Sequence, residues 1–362
     1  MKQPPPEERL LMLDGLRGIA ALSVLVFHLF WNSAGSGALR GTLPDWLDFS
    51  TGLLRSGVAI FFVISGFVIA HTTLRMRSFD GAWRFAARRQ IRLDPPYYVI
   101  LAFVLVLEFA QSLVPGLEGA RYAPGEILAN MLYLQGIVGA PSILAVAWTL
   151  CLEVQFYLLV VAIALLASRS PSESIRRRVV IASTMALAGF SLAMSPLGLE
   201  AGPWVWGVFW MFGLGMAVAW VVDEVAPAYL AVAAIVVTAI WAAWRDVVGV
   251  GDPWGGEWFA IGTAAVMLVL WRTHRLATTP GRFLLHAGRL SYSLYLVHLP
   301  IIALVTGLSF KISESPWVQL AAIALAGILA WFAAEAMHRW VEVPAIRWSR
   351  RLKRPSTADA RR

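Results

Sequence analysis

The sequence predicts an all-α, polytopic integral membrane protein with about ten transmembrane helices. Composition is the first observation: hydrophobic residues are 59% of the 362 residues and charged residues only 14%, against a soluble norm of about 45–50% and about 25%. Mean hydropathy is +0.68. A soluble protein this apolar has too few polar groups to cover its surface, and a disordered chain is poor in the aromatic and branched residues found here. The second is ten stretches that approach the roughly 20 apolar residues a spanning helix needs. The third is the placing of the basic residues, which alternates from loop to loop. Cys151 is the single cysteine, so neither a disulfide framework nor a cysteine zinc site is expected.

In order, the stretches run over residues 13–31, 53–71, 97–114, 143–167, 178–196, 203–222, 228–244, 257–271, 290–309 and 317–338. The apolar run from Glu126 to Gly139 has 14 residues, short for a span, and reads as interfacial or re-entrant. With ten spans both termini share one side. If that side is the cytoplasm, 24 of the 30 basic residues fall inside, 5 fall outside, and Arg17 lies within a span. This split follows the positive-inside rule. It also explains the net charge of +8 without nucleic acid. The groups Arg88/Arg89/Arg92 and Arg176–Arg178 already have a sufficient reason in topology and anionic headgroups.

Residues 1–12 read as a cytoplasmic leader, 13–345 as the membrane domain and 346–362 as a basic cytoplasmic tail. The first span is not expected to be a cleaved signal. It contains Arg17 and His28, and its leader carries three prolines and two glutamates.

Ionisable groups inside spans cost at least a few kcal/mol and so mark candidate function. Here they are Asp14, Arg17, His28, Arg55, Glu108, Glu153, His298 and Glu335. Arg17 and His28 are 11 residues apart, almost three helical turns, and share a face about 16 Å long. Asp14 is placed to orient Arg17. Glu153 and Tyr157, four apart, share a face with an acid and a phenol. A buried carboxylate there would fix an imidazole in one tautomer. Ser291, Tyr295 and His298 form one stripe, which implies a polar cavity. The bland alternatives are a core histidine satisfied by a neighbouring helix and hydrogen bonds acting as interhelical glue. Cys151, in apolar surroundings, reads as inert. The His spacing suggests no metal site.

Leu13-Asp-Gly-Leu-Arg-Gly-Ile-Ala-Ala-Leu-Ser-Val-Leu-Val-Phe-His28 resembles the opening of the acyltransferase family 3 membrane proteins, with Arg, ten residues, then His. Gly57 to Phe67, Arg88-Arg-Gln-Ile-Arg92 before Pro95 and Pro96, Trp148 to Tyr157, Ser291 to His298 and Glu342-Val-Pro344 also match, in order. The resemblance covers nearly the whole chain. It implies an O-acyltransferase taking an acyl group, commonly acetyl, from cytoplasmic acyl-CoA, with no permanently bound cofactor. The implied acceptor is a hydroxyl of a glycan, glycoside or macrolide, and the implied place is the bacterial inner membrane. Val154 stands where a second acidic residue is frequent. The hydrolase-like domain that some relatives carry does not follow the last span in this sequence. Transfer is therefore expected either directly within the membrane domain or through a separate extracytoplasmic partner.

On that reading Arg89 and Arg92, helped by Arg88, hold the CoA phosphates. Arg17 guides the pantetheine arm. His28 is the general base or a transient acyl carrier. Glu153 orients His28 or His298. Tyr157, Tyr295 and Ser291 donate to the oxyanion or the acceptor. Without the resemblance, a proton-coupled carrier or flippase suits the intramembrane His and Glu equally well, although no internal repeat stands out. An inactive membrane scaffold is the third reading.

Overall fold

The computed structural model describes residues 6–34, 36–113, 119–194, 202–253, 255–273 and 281–352. The ends of the expected leader and tail, residues 1–5 and 353–362, lie outside them. Among the described residues there is no strand. The helices are α1 (Pro6–Trp31), α2 (Ser36–Arg40), α3 (Asp45–Leu53), α4 (Gly57–Arg75), α5 (Phe79–Ser112), α6 (Pro124–Met131), α7 (Gln135–Val138), α8 (Trp148–Ala167), α9 (Glu173–Met194), α10 (Phe209–Val222), α11 (Ala228–Val247), α12 (Gly256–Arg272), α13 (Arg282–Ile312), α14 (Pro316–Met337) and α15 (Val343–Arg350). A π-helical turn, His338–Glu342, joins α14 to α15.

Ten helices overlie the ten apolar stretches, and among the described residues eight helices are long and apolar enough to cross a membrane. The two short ones are α10, with 14 residues, and α12, with 17. At 1.5 Å per residue α10 is about 21 Å long, against a hydrocarbon core of about 30 Å. It is buried at every position except Met211, against α4, α9, α11 and α12. A helix enclosed by helices need not match the bilayer.

One further element differs from expectation, and a second is resolved in detail. The third span was expected to begin after Pro96. Instead α5 starts at Phe79, where the Ser78 hydroxyl accepts from the Gly81 N–H at 3.2 Å as an N-cap, and it runs through Pro95 and Pro96. Arg88, Arg89 and Arg92 therefore ride on a helix and not a loop. The Glu126–Gly139 run splits into α6 and α7 around Tyr133, whose φ is 58°. The Tyr133 ring stacks on Tyr97 at 4.8 Å and its hydroxyl donates to Asp94 at 2.8 Å. That pins the run against α5 and precludes a span.

Backbone-close crossings hold the bundle together, as expected where lipid supplies no hydrophobic force between helices. A Cβ on Gly18 would collide with the Leu284 carbonyl oxygen, and one on Gly288 with the Asp14 carbonyl oxygen. This crossing of α1 and α13 sets Asp14 and Arg17 beside the start of α13. A second crossing joins α4 and α10, where a Cβ on Gly66 would meet the Phe212 carbonyl. Gly66→Leu is expected to cost about 1–3 kcal/mol through overpacking, read as a lower Tm in detergent. An unchanged Tm would mean that these two helices do not depend on close approach.

Candidate active site

Two apolar clusters divide the core. One is centred on α4, α8 and α10 and includes Phe62, Phe156 and Phe212. The other is centred on α1, α5, α13 and α14 and includes Val24, Tyr97 and Leu296. A cavity of about 610 Å³ lies between α1, α4, α5, α8, α13, the π-helical turn and α15. Residues from two bundles thus face one polar space.

Six arginines line it: Arg17, Arg89, Arg92, Arg289, Arg347 and Arg350. Arg17, Arg89 and Arg92 are half-buried, while Arg289, Arg347 and Arg350 are exposed, which grades the wall from mouth to interior. Against these stand three carboxylates, Asp14, Glu153 and Glu342. Among the described residues no ion pair within 4 Å joins any of the six arginines to a carboxylate. Arg89 is held by aromatic faces instead, its Cζ 5.3 Å from the Tyr157 ring centroid and 5.8 Å from that of Phe85. A half-buried guanidinium without a counter-charge is costly, and six converging on one space suit a multiply charged anion. Arginine binds phosphate in bidentate fashion.

Among the described residues Glu153 reaches no histidine. Its Oε1 accepts from the Ser65 hydroxyl at 2.9 Å and from the Tyr157 hydroxyl. The expectation that it orients His28 or His298 therefore fails. Spacing on α8 gave its face, but not the neighbour that α4 supplies.

The histidines orient each other. His298 Nε2 lies 3.1 Å from His28 Nδ1. His28 Nδ1 is also 2.8 Å from the Val24 carbonyl oxygen, and His298 Nδ1 is 2.9 Å from that of Leu294. A nitrogen beside a carbonyl must carry the proton. Each ring thus keeps its hydrogen on Nδ1, His28 shares that hydrogen between Val24 and His298, and His28 Nε2 retains a free lone pair. His298 is 1% exposed and His28 half-buried.

Neither histidine lines the cavity, but Tyr295 does. Its ring centroid is 5.8 Å from that of His298, and its hydroxyl is 2.8 Å from Thr149 Oγ1 and 3.2 Å from the Val146 carbonyl oxygen. A single aromatic layer separates the arginine wall from the histidine pair. Because its hydroxyl is already engaged, Tyr295 is not a free oxyanion donor in this state, contrary to expectation.

The structure brings Asp14, Arg17, Arg89, Arg92, Glu153, Tyr157, Ser291 and Tyr295 to one cavity. Arg88 is not in its wall, since its neighbours on α5 take the inward face. Arg55 is exposed. Glu108 accepts from the Ala120 N–H at 2.7 Å, and Glu335 pairs with His286 at 2.9 Å on a half-exposed face. None of these three lines the cavity. Sequence reasoning gave no role to Ser65, Thr149, Arg289, Tyr292, His338, Glu342, Arg347 or Arg350. The arginines had been spent on topology. Ser65 and Glu342 lie in quoted motifs whose partners no single helix reveals.

The model described as an acyltransferase domain, that of acyltransferase 3, matches residues 11–336. Peptidoglycan O-acetyltransferase OatA of Listeria monocytogenes is 24% identical over 363 residues, 92% of this chain and 55% of its own. O-acetyltransferase OatA of Staphylococcus aureus is 26% identical over 365 residues, 92% of this chain and 56% of its own. Acyltransferase MdmB of Streptomyces mycarofaciens is 31% identical over 161 residues, 43% of this chain and 39% of its own. The chain spans about half the length of the O-acetyltransferases that it matches end to end. No solved structure matches it. A family match over most of the chain, on a bundle whose described residues include eight helices of membrane-spanning length, makes this protein a member of the acyltransferase 3 family with the fold of an integral membrane protein.

Proposed function

We propose that the protein transfers an acyl group, acetyl in the first instance, from acyl-CoA to a hydroxyl of a glycan or glycoside. The observation that carries this reading is the arginine-lined cavity that ends at Tyr295, whose ring packs on His298, itself 3.1 Å from His28. The arginines hold the donor phosphates and the thioester extends toward Tyr295. The acceptor hydroxyl meets its carbonyl carbon beside His28. His28 Nε2 takes the hydroxyl proton as the C–O bond forms. The tetrahedral intermediate then collapses, the C–S bond breaks with its electron pair on sulfur, and the sulfur takes the proton from His28, so CoA leaves as the thiol and the neutral base is restored. CoA departs from the arginine side. Relatives named for O-acetylation of peptidoglycan support a glycan acceptor. The clustering of basic residues supports cytoplasmic termini, with the cavity mouth facing a cytoplasmic donor in a bacterial inner membrane.

The test is acetyl-CoA thioester loss by the purified protein in detergent, tracked as free CoA with and without a glycan acceptor. Protein-dependent CoA release is expected. A folded protein that neither binds acetyl-CoA nor releases CoA from it would sink the reading for acetyl donors.

Arg89 gives a sharper expectation. Charge-assisted hydrogen bonds are worth about 1.5–3 kcal/mol, so Arg89→Ala should raise the KM for acyl-CoA by about 10–150-fold. The KM for the acceptor should stay nearly constant in the same initial-rate series. Equal loss for both substrates would assign Arg89 a structural role.

A further inference from the structure

The π-helical turn after α14 places two side chains, His338 and Glu342, that the transfer chemistry does not use. Such turns are rare and frequently mark functional sites. Glu342, at its end, is 2% exposed, and a buried carboxylate needs donors. It has two on one oxygen: the Ser293 hydroxyl at 2.7 Å and His338 Nδ1 at 2.9 Å. Ser293 is fully buried. The imidazole of His338 is thus fixed through Nδ1. Its Nε2 has no hydrogen-bond partner among the described residues, and the residue lines the cavity in the same segment as Arg347 and Arg350.

Arginines only donate hydrogen bonds, whereas the Nε2 of a neutral imidazole accepts one. A wall of arginines cannot tell one polyphosphate from another. An acceptor beside it rewards a ligand that carries an amine or hydroxyl next to its phosphates, which a nucleotide does and a bare diphosphate does not.

We propose that His338 is a specificity residue that hydrogen-bonds the nucleotide portion of the acyl donor, and that Glu342, with Ser293, is its positioning residue. This rests on the acyl-CoA reading above. His338 lies beyond residues 11–336, the stretch matched by the family model, and outside the motifs quoted above, so its role is drawn from this chain's own geometry.

The experiment compares dissociation constants for CoA and for inorganic pyrophosphate, by titration calorimetry in detergent, across the full-length wild type, His338→Phe, His338→Gln, Glu342→Gln and the double variant His338→Phe/Glu342→Gln. Loss of one hydrogen bond to a neutral partner should raise the Kd for CoA in His338→Phe by about 3–10-fold. The Kd for pyrophosphate should stay unchanged, which also shows that the cavity is intact. Glutamine at 338 keeps an acceptor and should recover part of the loss. Glu342→Gln should weaken CoA binding, and the double variant should be no weaker than His338→Phe alone, because Glu342 acts through the imidazole. Equal effects on both ligands, or none on either, would overturn the assignment. If phenylalanine prevents folding, His338→Gln and Glu342→Gln carry the same comparison. A wild type that binds pyrophosphate but not CoA would overturn the donor reading itself, and does so before any variant is made.

Discussion

Replacing His28 with alanine should lower acyl transfer by about 10²–10⁴-fold, the usual contribution of a general base, while leaving insertion and abundance unchanged. The size of the effect follows from the tautomer. His28 Nδ1 faces the Val24 carbonyl at 2.8 Å and His298 Nε2 at 3.1 Å, so its hydrogen is committed and only Nε2 can accept a proton. His298 has its own Nδ1 tied to Leu294 and its Nε2 tied to His28. On the proposed mechanism it positions the base without being one. His298→Ala should therefore cost much less, about 3–10-fold for one hydrogen bond lost, mostly in kcat. The two variants, assayed side by side for free CoA and acylated acceptor, test the order of the pair. Near-normal turnover in a folded His28→Ala protein would dismiss the mechanism. A larger loss in His298→Ala than in His28→Ala would reverse the roles.

The physics of the sequence reaches some of this arrangement and stops at a definite point. Period and length along one helix showed that Arg17 and His28 share a face, and that Ser291, Tyr295 and His298 share another. The structure joins these two faces through the 3.1 Å contact between His28 and His298. Which faces meet depends on helix packing, and that is set by features such as the Gly18–Gly288 crossing, whose meaning lies in a distant backbone. Glu153 shows the limit most plainly. Its spacing from Tyr157 was legible, but its bond to Ser65 spans 88 positions of sequence. Charge counting had the opposite fault. It explained Arg289, Arg347 and Arg350 so well as topology that nothing remained to mark them as cavity residues. Helix length was legible only in part, because the apolar stretch 203–222 yields an α10 of 14 residues that is enclosed by protein.

Arg17 offers the second large effect. It is half-buried, it lines the cavity, and among the described residues it has no carboxylate within ion-pair distance. Arg89 and Arg92 line the same space, so the three repel one another where water is scarce. An arginine that stabilises a fold is paired; an arginine that waits for a ligand destabilises the empty protein. Arg17→Ala should therefore keep or raise the Tm of the ligand-free protein, since an uncompensated charge is removed. It should also raise the Kd for acyl-CoA by about 10–150-fold, the loss of a charge-assisted contact. In the wild type, acyl-CoA at about 100 times its Kd should add about 2.7 kcal/mol of stability, seen as a rise in Tm that shrinks with added salt. At that same ligand concentration Arg17→Ala should show no more than about half of the rise. A variant that loses Tm in the absence of ligand, and keeps wild-type affinity for acyl-CoA, would make Arg17 a structural residue and leave the anion-binding account of the cavity without its central member.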